Sequence, residues 1–511
     1  MIATTSHTGV QDVQSQRFAF ALLCLARFMV ILDASIVNVA LPSMQRDFGF
    51  STATLQWIVS IYSLTFGSFL LLSGRAGDLF GRRRLFMGGL ALFSLASLAG
   101  GLAPSGLWFI VIRGIQGLGA ALVAPTTLSL ITTLFEEGPA RNRAFGITGS
   151  ISSLGFAVGA LLGGLLVAGL GWRWVMFVNV PVGLLALALT PIFLPETSTS
   201  TEHRHLDVLG AFLVTAGLIA LVSLLAEGNT LGWISGAELL FLVLCVLLLL
   251  TFVLVEWRSR EPLVRFGIFR LRALSGGNMV NFFTAATFVP LLFVLTLYMQ
   301  QTLHYSAITT GLAFLPMALT LMVISNVVSR QIARFGVFWL MLGGLFVVLL
   351  GLLLLMRISG GGSFLSTVLL GTLLLAVGFG CIFPGIFVAA TSGVAAKEQG
   401  LASGLVNTSQ QIGASVGMAL VSTVIGARTA VLLQASPHAQ QSIQNALVGD
   451  FQAGVFVCAG CALLAALIAI FTLHEHRTPA GPAQLPEAEH CHCARPVAFA
   501  LNTRSLGEAC V

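Results

Sequence analysis

Charge is what this sequence has least of. Only 9% of its 511 residues are Asp, Glu, Lys or Arg, while 57% are hydrophobic. A soluble globular domain carries roughly 25% charged residues. That class is excluded, because runs of the ~20 apolar residues needed to cross a bilayer fill most of the length. None of the nine histidines falls inside such a run, and no His/Glu zinc motif is present. There is no phosphate-binding Gly-Lys-Ser/Thr loop and no hydrophilic domain to hold ATP. Intramembrane metal hydrolysis, haem chemistry and ATP-driven pumping are disfavoured on those grounds. The expectation is a protein that is not an enzyme and has no metal or cofactor. A cleavable signal is also lacking: Met1 to Gln16 is polar, and Arg17 precedes a full-length span with no small-residue cleavage site. The first span then serves as a signal anchor. The eight cysteines form no disulfide framework; five lie in apolar runs and read as packing residues.

What the chain does have is fourteen apolar runs, at roughly 18–40, 52–73, 85–103, 106–134, 144–170, 173–194, 208–227, 237–256, 274–300, 311–329, 338–356, 364–390, 400–427 and 450–473. The fold class is an all-α polytopic membrane protein of 14 transmembrane helices. An even count puts both termini on one side. Nineteen basic residues, among them Arg17, Arg82, Arg83, Arg84, Arg272, Arg330 and Lys397, then fall on the terminus side. Arg46, Arg173, Arg357 and Arg428 fall opposite. The positive-inside rule makes the terminus side cytoplasmic, in the cell membrane. A net charge of +6 could by itself suit nucleic acid, but these arginines sit in short loops and form no basic face, so no nucleic-acid partner is expected.

A faint echo relates the two halves. Arg75-Ala-Gly-Asp-Leu-Phe-Gly81 follows the second run, and Arg330-Gln-Ile-Ala-Arg-Phe-Gly336 follows the tenth. This fits two six-helix bundles, 18–196 and 274–473, with two inserted linker helices at 208–256, the repeated plan of secondary transporters. Residues 1–17 form a cytoplasmic tail, 257–273 a basic cytoplasmic linker and 474–511 a Pro/Ala-rich disordered tail. The linker either lies along anionic headgroups or simply connects the bundles.

Asp33 is the one carboxylate that cannot be placed near the end of a run. At that depth it needs a polar cavity, a partner or a proton. It lies about 22 Å from the cytoplasmic start of its span, and Arg113 roughly 10 Å below the outer end of the fourth, at ~1.5 Å per residue. The two reach similar depth. Pairing favours ionised Asp33 and desolvation favours the protonated form, a balance that a proton-coupled carrier can use. A static buried ion pair is the alternative. Arg27, at the depth of Gln116, either lines a cavity or snorkels towards the cytoplasm.

Gly74-Arg-Ala-Gly-Asp78-Leu-Phe-Gly81-Arg82-Arg83-Arg84 offers glycines for a tight turn and an acid able to latch, a candidate cytoplasmic gate. Gly155, Gly159 and Gly163 share one face of the fifth span, with Gly164 beside them, and would let another helix come close for packing or gating. Asn38, Asn278, Asn281, Gln410 and Gln116 are polar residues in spans, which either line a substrate cavity or bond between helices. His490-Cys-His-Cys493 in the tail resembles a metal tract but has no folded context.

Five stretches together make a family resemblance: Leu32–Pro42, Gly74–Arg84, Arg113-Gly-Ile-Gln-Gly-Leu-Gly119, Gly155 to Gly164, and Gly171-Trp-Arg-Trp-Val-Met-Phe-Val-Asn179-Val-Pro-Val-Gly183. Tyr298-Met-Gln-Gln301 and Gly400-Leu-Ala-Ser-Gly-Leu-Val-Asn407 are similar too. The chain resembles the major facilitator superfamily, most closely its fourteen-span drug:proton antiporters of the EmrB/QacA type. The resemblance implies alternating access, multidrug efflux and proton antiport, with Asp33 as protonation site, Arg113 in proton or substrate coupling and Gly74–Arg84 as gate. Small-molecule substrates, protons and lipid are the implied partners, with accessory export proteins admitted. Ala160 stands where the antiporter motif has proline, which weakens its argument for antiport. A dedicated exporter or importer of one solute is the second reading, and a non-transporting receptor the third.

Overall fold

The computed structural model describes residues 8–135, 139–194, 207–231, 235–259, 266–357, 368–391, 394, 399–435 and 440–473. Residues 1–7 of the N-terminal tail, 260–265 of the linker, and the tail 474–511 with its His/Cys tract lie outside the described residues; the rest of the expected N-terminal tail continues α1 as helix from Thr8. Among those described, regular structure is entirely helical: α1 (Thr8–Phe48), α2 (Thr52–Leu55), α3 (Trp57–Phe80), α4 (Arg82–Gly101), α5 (Gly106–Leu134), α6 (Pro139–Gly169), α7 (Arg173–Phe177), α8 (Asn179–Phe193), α9 (Val208–Leu231), α10 (Gly236–Arg258), α11 (Arg272–Leu297), α12 (Ala307–Phe335), α13 (Val337–Leu355), α14 (Leu369–Thr391), α15 (Gln399–Ala435) and α16 (Gln440–Leu473). A 3-10 turn at Phe266–Arg270 precedes α11, and a π-helical turn at Tyr298–Thr302 follows it.

Twelve helical segments are long and apolar enough to cross a membrane. Shorter apolar stretches, Trp57–Leu70 and Leu154–Gly169, lie within α3 and α6 at the two remaining runs. The helices continue past the apolar runs because nothing in the flanking sequence stops them. α1 runs on through Pro42 to Phe48, and α15 extends to Ala435.

One expectation needs correction. Gly74 to Arg84 is not a loop. α3 carries Gly74 and Asp78 inside its last turns, and α4 starts at Arg82. A glycine within a helix costs only about 1 kcal/mol, and no proline stands here, so the helix runs on. Gly81 alone makes the turn, at φ 91° and ψ 127°, a backbone that L side chains avoid. The equivalent glycine of the second half does the same: Gly336, between α12 and α13, has φ 77° and ψ 152°. The weak sequence echo therefore marks a shared one-residue corner.

Packing follows small residues. α1 lies on α5, α6 and α8, and α5 on α3 and α4. In the second half α11 lies on α14, α15 and α16, and α13 on α14 and α16. The halves meet where α6 packs on α12, α3 on α15 and α1 on α11. α9 docks on α3 and α15 and carries α10 on its other side. α10 turns Leu239, Leu240, Val243, Leu247 and Leu250 outward, as a helix bathed in lipid should. Linker residue Ile268 packs inward with Leu72, Leu274 and Leu405. Phe269 beside it stays exposed.

Candidate functional site

Asp33 is fully buried, and four helices converge on it. Arg113 Nη1 on α5 donates to Asp33 Oδ2 at 2.7 Å. Gln116 Nε2, one turn further along α5, donates to Asp33 Oδ1 at 2.9 Å. Asn179 Nδ2, at the start of α8, donates to the same oxygen at 2.7 Å. Ser97 of α4 sits behind Gln116 and accepts its second N–H at 2.8 Å. Both carboxylate oxygens thus receive hydrogen bonds from protein groups, one of them charged.

Arg113 has further support. Its Nε donates to the Ile58 carbonyl at 3.2 Å and its Nη1 to Gln116 Oε1 at 2.6 Å. Its guanidinium lies 4.3 Å from the centre of the Tyr62 ring. The cation therefore keeps a carbonyl, an amide oxygen and a π face when Asp33 is neutralised. Breaking a simple buried pair would strand the arginine, at about 3–5 kcal/mol.

Small residues let α1 reach this position. A Cβ at Gly159 would lie 2.8 Å from the Leu32 carbonyl, and one at Gly163 3.0 Å from that of Ile36. Gly155 faces Phe28 and Ile31. Gly164 points the other way, against the Ala307 backbone of α12, and Gly311 of α12 presses on the Ala160 carbonyl. The α6 stripe thus packs against α1 on one side and against the second half on the other.

The remaining sequence-predicted residues are spread out. Asn38 donates to Ala34 O one turn back at 2.7 Å, and its Oδ1 is buried without a partner. Asn278 and Asn281 work between α11 and α15: Asn281 Nδ2 donates to Val406 O at 2.6 Å and Ser409 Oγ at 2.9 Å, while Ser409 donates to Asn278 Oδ1 at 3.1 Å. Gln410 and Arg27 are half-buried. Arg82 Nη1 donates to Ser129 O at 3.2 Å, tying α4 to α5, and Arg83 is half-buried beside it. The side chain of Asp78 lies outside what is described. Among the described residues no His, Cys, Asp and Glu cluster could hold a metal ion.

Sequence reasoning missed Tyr62, Ser97 and Asn179 as parts of the site. Asn179 had a usable signal, as an amide inside an apolar run. Tyr62 and Ser97 had none, since a tyrosine or serine in a span is ordinary. Also unforeseen were the ties at the end of α1: Gln300 Nε2 to Val39 O at 3.0 Å and Gln301 Nε2 to Gln45 Oε1 at 2.8 Å, both reaching across from the π-helical turn.

A bundle of membrane-length helices around a buried, fully partnered acid–base pair defines a polytopic membrane transporter. Residues 23–418 match the family described as Major Facilitator Superfamily. The chain is 38% identical over 467 residues to the puromycin resistance protein pur8 of Streptomyces alboniger, covering 91% of this chain and 92% of that one. It is 39% identical over 414 residues to the cephamycin export protein CmcT of Amycolatopsis lactamdurans, covering 80% and 85%. The auto-inhibited POT family peptide transporter shares the fold, with a TM-score of 0.64 at 16% identity over 92% of this chain and 99% of that one. The chain belongs to the Major Facilitator Superfamily. It is a multi-pass membrane transporter and not an enzyme, and a drug exporter of this family needs no cofactor.

Proposed function

We propose that this protein is a proton-coupled exporter of hydrophobic or cationic drug-like compounds, working by alternating access in the cell membrane with both termini cytoplasmic. The observation that carries this is Asp33: a fully buried acid whose cationic partner keeps other contacts when the acid is neutral. Two six-helix bundles would rock about the α6–α12 and α3–α15 seams. The present state is held shut at the end where α1 finishes, by Gln300, Gln301 and the Gly164/Gly311 contacts. Gly81 provides the corner of the cytoplasmic gate, with Arg82, Arg83, Gly74 and Asp78 around it. Arg27, Asn38 and Gln410 are proposed to line the substrate path, with Asn278 and Asn281 shaping it from α11. The relatives named for puromycin resistance and cephamycin export support drug-like cargo and outward movement.

A second reading is one dedicated solute, favoured because each of those relatives is named for a single compound. One experiment separates the possibilities. Cells expressing the protein are loaded with several unrelated dyes, and efflux is followed with and without a collapsed proton gradient. Efflux of several dyes that stops on collapse is expected, and Asp33→Asn should abolish it. Gradient-independent efflux would sink the coupling. Efflux of one dye only would select the dedicated exporter.

A further inference from the structure

The three donors around Asp33 are not equivalent. Arg113 has only N–H groups and can never accept a proton. Gln116 is locked in one orientation from both sides. Its Oε1 accepts from Arg113, and its Nε2 donates to Ser97 Oγ as well as to Asp33. Ser97 has already committed its own proton to the Phe93 carbonyl at 2.8 Å, so it can only accept from Gln116. Turning the Gln116 amide over would set N–H against N–H at Arg113 and oxygen against oxygen at Ser97.

Asn179 is different. Its Nδ2 donates to Asp33 Oδ1, while its Oδ1 is buried without any hydrogen-bond partner. The residue itself is only 1% exposed. An orphaned buried amide oxygen costs about 1–3 kcal/mol. This amide can rotate by half a turn without breaking a bond to any other group. Of the three donors to Asp33 it is the one able to change from donor to acceptor.

We propose that Asn179 is the positioning residue that follows the proton on Asp33. With Asp33 ionised, Asn179 Nδ2 donates to Asp33 Oδ1. When a proton binds at Asp33 Oδ1, that hydrogen bond breaks, the amide turns over, and Asn179 Oδ1 accepts the new O–H. Asp33 goes from one negative charge to none, and no other covalent bond changes. Gln116 still donates to Asp33 Oδ1, and Arg113 still donates to Oδ2, now a neutral carbonyl oxygen. α8, which carries Asn179, thereby stays tied to α1 in both protonation states. The charged and titratable groups that face Asp33 are Arg113 from α5 and Tyr62 from α3; Arg27, six residues back on α1, lies about 120° around that helix. On α4 and α8 the facing groups are Ser97 and Asn179, and on α6 they are glycines.

The inference rests on Asp33 being the coupling acid, and its test keeps the two ideas apart. Purified protein in lipid is titrated while the infrared band of a protonated buried carboxyl is followed; Asp33→Asn identifies the band. Asn179→Leu keeps the volume but removes both donor and acceptor, whereas Asn179→Thr is smaller but can still do both. The Asp33 band is expected to move to higher frequency in Asn179→Leu and to return towards the native position in Asn179→Thr. Proton-driven efflux should fall about tenfold in Asn179→Leu, the rate equivalent of one lost hydrogen bond to a charged group, and recover in Asn179→Thr.

An amide band of isotope-labelled Asn179 in the native protein that does not change as Asp33 titrates would mean a fixed donor and would overturn the proposal. Rescue by Leu and not by Thr would mean mere packing and would also overturn it. An Asp33 band that ignores both variants removes Asn179 alone. No titrating carboxyl at all removes the coupling reading and the Asn179 role with it. Should Asn179→Leu fail to fold, isotope-labelled asparagine in the native protein gives the same answer. Its amide band must change with pH and must lose that change in Asp33→Asn.

Discussion

Desolvation and pairing oppose each other at Asp33, and both are large. A lone carboxylate here would cost several kcal/mol and would take up a proton instead. Three donors offset part of that cost. Arg113→Ala removes the strongest of them and leaves a buried acid with two amides. It is expected to destabilise the protein by about 3–5 kcal/mol and to abolish gradient-driven efflux. Adding Asp33→Asn to Arg113→Ala removes the unpaired charge as well. The double variant should unfold at a higher temperature than Arg113→Ala alone, as checked by melting in detergent. Equal melting temperatures would mean that the two side chains are not coupled.

Among the elements, α6 decides most. It has Ala160 where the motif it resembles has proline, yet it already carries part of the adaptation a proline would need. Ser35 Oγ of α1 donates to the Phe156 carbonyl at 2.7 Å. That carbonyl lies four residues before Ala160, so it is the one a proline at 160 would deprive of its helical N–H. Ala160→Pro should therefore cost less than the ~3 kcal/mol typical of a helix interior. In a Ser35→Ala background the same substitution leaves the carbonyl orphaned and should cost about 1–3 kcal/mol more. Thermal unfolding of the four proteins checks this; an additive result would exclude a role for the Ser35 hydroxyl.

For the whole molecule, the question is which end is open. The proposed closure at the end of α1 rests on close backbone contact between α6 and α12, with Gly164 against Ala307 and Gly311 against Ala160. Gly311→Val places side-chain atoms against the Ala160 carbonyl and should prop the seam apart. The expected outcome is faster labelling of Asn38→Cys, in a cysteine-free background, by a membrane-impermeant thiol reagent added outside. Unchanged labelling would mean that this seam does not control access.

Much of this was legible in order along the chain. Low charge and long apolar runs dictate helices across a membrane, because backbone polar groups in lipid must be satisfied within each segment. The isolation of Asp33 in its run, the matching depth of Arg113 and the spacing of Gly155, Gly159 and Gly163 were equally open to inspection. Helix ends were not, since Gly74 and Gly77 resemble a turn yet sit within α3, and only Gly81 adopts the turn conformation. Nor was the hydrogen-bond network around Asp33, in which Gln116 and Asn179 donate to the acid and Ser97 accepts from Gln116, from three helices and across 19 to 146 residues of chain. Sequence determines which residues are too polar for lipid, because that is a property of each side chain alone. Only the tertiary structure decides which of them meet, and which amide is left with an oxygen to spare, because hydrogen bonding depends on direction and on what its partners have already committed.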